Sequence, residues 1–140
     1  MNKATLVRFF ETLDKDVPVE AFGTLYDNAV VFRDPFNDVK GIRAVYRIFQ
    51  EMYQNLDEPR FVIREYIESA SIAYVKWDFQ FHFKGDAKES RFEGVSRLEL
   101  NAEGKIVSHA DFWDAAEHIY EKIPLLGSML RFVKRKIAGK

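Results

Sequence analysis

Between Ile72 and Lys84 the chain reads IAYVKWDFQFHFK, and no other stretch constrains its fold so tightly. Val75, Trp77, Phe79, Phe81 and Phe83 alternate with Lys76, Asp78, Gln80 and His82. A period of two belongs to a strand, because successive side chains point to opposite faces. One face is apolar and must be covered. The other is polar and is expected to meet solvent or a partner subunit. Similar alternation predicts strands near 60–69, 90–101 and 105–114, with turns at Gly85-Asp86 and Glu103-Gly104. Consecutive strands joined by tight turns pair antiparallel.

The first sixty residues read differently. Leu6, Phe9, Phe10 and Leu13 fall at helical spacing over 2–14. Pro18 suits the start of a second helix, with Val19, Phe22 and Tyr26 on one side. Residues 29–33 form a short strand, and DPFNDVKG is a loop, since Pro35 disfavours helix at Asp34 and Asn37, Asp38 and Gly41 are turn residues. A third helix starts near Gly41, with Ile42, Val45, Phe49 and Met52 on its apolar stripe. Three helices and a meander of long strands predict an α+β domain. The sheet is expected to be curved, antiparallel and cone-shaped, wrapping over the N-terminal helices. At 140 residues the chain suits one domain. Residues 1–114 are expected to form the cone core and 115–140 a C-terminal helical extension.

There is no cysteine, which excludes disulfides, thiol nucleophiles and thiolate metal sites. The opening MNKATLVRFF holds no long apolar run, so the expected location is cytoplasmic. Net charge is −1, but residues 131–140 carry Arg131, Lys134, Arg135, Lys136 and Lys140 with no acid, leaving −6 on the rest. A basic tail on an acidic body is not a nucleic-acid signature. Neither a glycine-rich phosphate loop nor a nucleophile elbow is present.

The chemistry-bearing stretch is SHADFWD, 108–114. On a strand Val107, His109, Asp111 and Trp113 share a face. Polar groups set in an apolar surface need partners or a pocket. His109-x-Asp111 could also face an ion, but only three histidines exist and His82 and His118 show no matching spacing. No metal and no cofactor is expected.

Two stretches, LYDNAVVFRDPFNDVKGIRAVYRIFQEM (25–52) and LELNAEGKIVSHADFWD (98–114), resemble the nuclear transport factor 2-like superfamily. It includes ketosteroid isomerase, SnoaL-like polyketide cyclases, limonene epoxide hydrolase and scytalone dehydratase. The resemblance implies the cone fold with a cavity at its wide end. Asp34 matches the general-base aspartate of ketosteroid isomerase. That enzyme's oxyanion hole, a tyrosine and a protonated aspartate, falls here on Phe10 or Phe9 and near Ser96, so its known machinery is missing. SnoaL-like cyclases instead place an aspartate base with a neighbouring histidine on the last part of the sheet. The resemblance therefore implies Asp111 as base, His109 as its partner or as electrophile, and Asp34 as a second acid/base. Trp113, Phe10, Ser96, Trp77 and Phe79 would contact a small hydrophobic ligand.

The expected reaction is proton transfer, or addition or loss of water, on a hydrophobic carbonyl compound. The alternatives are a non-catalytic binder of hydrophobic ligands and a dimeric interaction module. A homodimer through the face of Asp78, Gln80 and His82 is expected. In the tail, Leu126, Met129, Leu130 and Val133 are expected to pack a helix over the cavity entrance, with Arg131, Lys134, Arg135 and Lys136 in water; contact with a membrane surface is the other reading.

Overall fold

The alternating segment becomes β4 (Ile72–Phe83), and its apolar face is the wall of the core. A computed structural model describes residues 2–114 and 132–139. The order is α1 (Lys3–Glu11), α2 (Val19–Phe22), β1 (Tyr26–Arg33), β2 (Asp38–Lys40), α3 (Ile42–Asn55), β3 (Leu56–Ser69), β4, β5 (Glu89–Leu100) and β6 (Ile106–Phe112). The six strands form one curved, unclosed sheet in the order β2-β1-β6-β5-β4-β3. From β3 to β6 every neighbour is antiparallel, whereas β1 joins β6 in parallel. The meander is therefore as the periodicity predicts, with one parallel seam added where the first strand meets the last.

Curvature comes from breaks in register. β3 shifts against β4 between Asp57 and Arg60 and again between Ile63 and Glu65. Glu58 takes a positive φ of 51° beside the first break. Pro59 lies in that irregularity and on an edge strand, where a missing N–H removes no interior ladder bond. Into the concave side go Leu6 and Phe10 of α1, Phe22 of α2, and Val45 and Phe49 of α3. Asn2 caps α1 by accepting from the Thr5 N–H at 2.9 Å. At Gly41 a φ of 97° turns the chain into α3.

Three sequence expectations change. Tyr26 is not on the second helix, because α2 is a single turn that ends at Phe22; Tyr26 opens β1. The stretch after Asp34 is not all loop: Asp38–Lys40 pairs antiparallel with Val31–Arg33. Asp78 does not face solvent. It is 1% exposed beneath Arg64 and Arg91, whose Nε and Nη2 both meet its Oδ2 at 2.7 Å.

In the tail, Leu126, Met129, Leu130 and Arg131 lie outside the described residues. Residues 132–138 are helical, and Val133 is exposed there rather than packed. Lys134 Nζ stands 4.0 Å from Asp114 Oδ2. Among the described residues, no helix is long and apolar enough to cross a membrane.

Candidate functional site

β6 carries the two ionisable groups and β5 supports them. Cα pairing sets Asp111 opposite Ser96 and His109 opposite Leu98. Since facing residues share a side of the sheet, the parity that puts Leu98 in the core puts His109 there too. His109 is 3% exposed and Ser96 5%. Next along β5, Gly94 faces Trp77 of β4, and a Cβ at 94 would collide with the indole ring. The missing side chain is what lets the indole lie across the sheet. Its Nε1–H then donates to Ser96 Oγ at 2.9 Å.

Two arms of hydrogen bonds converge on one atom. Ser96 Oγ donates to Asp111 Oδ1 at 2.5 Å, and His109 Nε2 donates to the same oxygen at 2.7 Å. Behind the imidazole, Tyr26 Oη lies 2.8 Å from His109 Nδ1. Tyr26 is buried, and its pKa is raised well above 10, by desolvation first and by the Asp111 charge second. The phenol therefore keeps its hydrogen. It has no other partner among the described residues, and donating to Nδ1 is the arrangement that satisfies its hydrogen. That fixes the hydrogen of His109 on Nε2, directed at Asp111. Oδ2 of Asp111 receives no hydrogen bond from any described residue.

Asp111 stands where two spaces meet. The inner one, about 20 Å³, is lined by Leu6, Phe10, Phe61, Ser96, His109 and Asp111 among others, and has room for about one water. The outer one, about 540 Å³, lies in the range of small-molecule sites. Asp111, Trp77, Phe79, Phe92, Trp113 and Asp34 line it, with Phe36 and Glu51 also on its wall. Trp113 stacks on Phe92 at 4.4 Å between ring centroids, and Phe36 meets Trp113 edge-on at 5.6 Å.

The structure thus gathers Asp111, Trp113, Trp77, Phe79 and Asp34 around the outer cavity, and His109, Ser96 and Phe10 around the inner pocket. Asp34 differs from Asp111 in its bonding. Its Oδ1 accepts from the N–H groups of Phe36 and Asn37 at 2.8 and 2.7 Å, and both its oxygens accept from Asn37 Nδ2. Those bonds make it the anchor of its own turn. The residue missed by the sequence reading is Tyr26. Its parity with the buried Val30 and Phe32 was a usable signal, obscured by the exposed Asn28 and by a register shift between Tyr26 and Val31. Among the described residues no group of three His, Asp or Glu is arranged to hold a metal ion.

A family model described as SnoaL-like domain matches residues 6–109. Solved structures share the fold. One is a protein from Catenulispora acidiphila with a ketosteroid isomerase-like fold, in complex with trimethylamine. It superposes with a TM-score of 0.72 at 12% identity, over 85% of this chain and 92% of that one. A candidate SnoaL-like polyketide cyclase from Jannaschia gives 0.69 at 12% identity, over 81% and 85%. A candidate isomerase of the SnoaL-like family from Agrobacterium tumefaciens gives 0.64 at 19% identity, over 79% and 92%. No curated protein matches the chain. At these identities the likeness is one of fold.

Proposed function

Because the chain belongs to the SnoaL-like domain family, we propose that it is a small-molecule enzyme using Asp111 as a base on a hydrophobic carbonyl compound, by proton transfer or by addition or loss of water. One observation carries this reading. Both protein donors land on Asp111 Oδ1, which leaves Oδ2 unbonded among the described residues on a carboxylate that lines the cavity. A base must keep one lone pair for its substrate while the rest of the group is held still. Ser96 and His109 do the holding. With Nδ1 accepting from Tyr26 and Nε2 donating to Asp111, His109 has no N–H left for an enolate oxygen, so its role is to orient Asp111. Asp34 keeps the mouth loop in shape and Trp113, Trp77 and Phe79 form the wall.

The bonding of Asp34 also supports a second reading, a binder without chemistry, because it leaves one uncommitted carboxyl oxygen instead of an acid/base pair. Solvent exchange separates the two. Hydrophobic ketones incubated with the protein in D₂O should exchange their α-hydrogens, followed by NMR. Asp111→Asn should slow that exchange by roughly 10²-fold or more, the usual contribution of a positioned base. Exchange at the parental rate in the Asn variant removes Asp111 from the role. Ligand binding with no exchange by the parent protein replaces the enzyme by the binder.

A further inference from the structure

The outer cavity is unusual in its balance of groups. Nine of its described lining residues are aromatic, Trp77, Phe92 and Trp113 among them. Its charged lining residues, again among those described, are Asp34, Glu51 and Asp111: three acids, and no lysine, arginine or histidine. The acids are spread from Glu51, which is exposed, to Asp111, which is largely buried. An aromatic ring carries negative charge on its faces, which attract cations and repel anions. Carboxylates do the same more strongly, and more so where water is displaced.

From this lining we infer that the ligand of the cavity is a hydrophobic organic cation, a compound with a protonated or quaternary amine among apolar groups. The inference names the substrate class of the reading above and rests on it for the reaction. A neutral ketone that loses a proton to Asp111 leaves an enolate anion in a cavity with no cation on its described wall. An amine-bearing ketone supplies the missing charge itself. In that step the proton moves from the α-carbon to Asp111 Oδ2, the C–H pair becomes the C=C bond, and the carbonyl π pair moves onto oxygen. The enolate is then balanced by the ligand's own ammonium, and the negative charge gained by the ligand is the one lost by Asp111. Outside the cavity, the acids of the rim attract a cation at a distance set by ionic strength.

Three benzyl probes test this with the full chain: benzyltrimethylammonium, its uncharged isostere neopentylbenzene, and the smaller anion phenylacetate. Their dissociation constants are read by protein NMR shifts and by tryptophan emission. The cation should bind at least tenfold more tightly than the neutral probe, and the anion most weakly. Asp111→Asn should weaken the cation about tenfold and leave the neutral probe unchanged. Glu51→Gln should weaken the cation at low salt only. The inference is overturned if the neutral probe or phenylacetate binds as well as the cation, or if none of the three binds. These outcomes stand apart from the exchange experiment: loss of exchange in Asp111→Asn with neutral preference keeps the base and discards the cation. Cation preference without exchange by the parent keeps the ligand class and discards the reaction.

Discussion

Asp78 and Asp111 sit on opposite faces of one sheet and are built on the same plan, yet they end in opposite states. Each takes two donors on a single carboxyl oxygen. For Asp78 the donors are the guanidinium groups of Arg64 and Arg91. For Asp111 they are a hydroxyl and an imidazole N–H. Burial pushes the Asp78 carboxyl up, but the Arg64 hydrogen bond and the charges of Arg91, Arg64 and Lys76 together hold it below its ordinary value. That carboxylate is compensated, and its job is to tie β3, β4 and β5 together. Among the described residues the second oxygen of each is unbonded, but Asp78 Oδ1 is sealed inside the protein, whereas Asp111 lines the outer cavity and has no lysine or arginine partner. The contrast separates structure from chemistry: cationic partners make a buried carboxylate inert, while neutral donors hold it in place and leave it able to react.

The largest effect should come from breaking the compensated site. Asp78→Ala removes a buried carboxylate from between two half-exposed guanidinium groups and should destabilise the fold by about 2 kcal/mol, a drop in Tm of several degrees. Asp111→Asn keeps acceptors for Ser96 and His109 and should change stability by less than about 1 kcal/mol. Equal losses in the two variants, measured by calorimetry, would erase the distinction between the faces. Acid sharpens it. Because folding lowers the Asp78 pKa, its contribution is complete above the unfolded value of about 3.9 and is lost as pH falls through the lower folded value. Urea titrations from pH 6 to pH 2 should show a stability loss below about pH 4 that is smaller in Asp78→Asn; an unchanged acid limb in that variant contradicts the assignment. Well below the effect at Asp78 is that of Tyr26→Phe, which removes one buried donor and should cost about 1 kcal/mol. It frees Nδ1 of His109, so it should also slow the exchange catalysed by Asp111, through orientation alone. No change in either quantity would show that the phenol holds nothing.

Much of this was legible in the sequence, for reasons that differ residue by residue. Period-two alternation gave the meander, since one apolar face and one polar face leave a strand little choice. Parity from Val107 to Trp113 brought His109 and Asp111 onto one face. Parity says which face a residue takes but not what lies over it, so Asp78 reads as facing solvent or a partner subunit although two arginines from neighbouring strands cover it. Those arginines are 14 and 13 residues away, and no local pattern announces them. β2 was hidden because three residues, Asp38–Lys40, are too few to show a period. Asp34 is ambiguous in sequence for a chemical reason: the same carboxylate suits a turn or a pocket, and in the structure it does both, bonding within its own turn and lining the outer cavity. Val133 read as buried by helical spacing, but spacing alone does not supply the surface a stripe packs on.

The parallel seam between β1 and β6 makes the site a record of how the chain assembles. Tyr26 and His109 are 83 residues apart, whereas β3, β4 and β5 meet through short turns. Local hairpins form before distant ends meet, because closing a long loop is entropically opposed until many contacts reward it. Ser96 and Asp111 are therefore expected to come together early, and the phenol that fixes the imidazole hydrogen to arrive with the last closure. The Tyr26→Phe protein should accordingly refold at the parental rate and unfold faster. A partly folded chain would hold its aspartate in place with the histidine still free to take either tautomer, so reactivity waits for the completed fold.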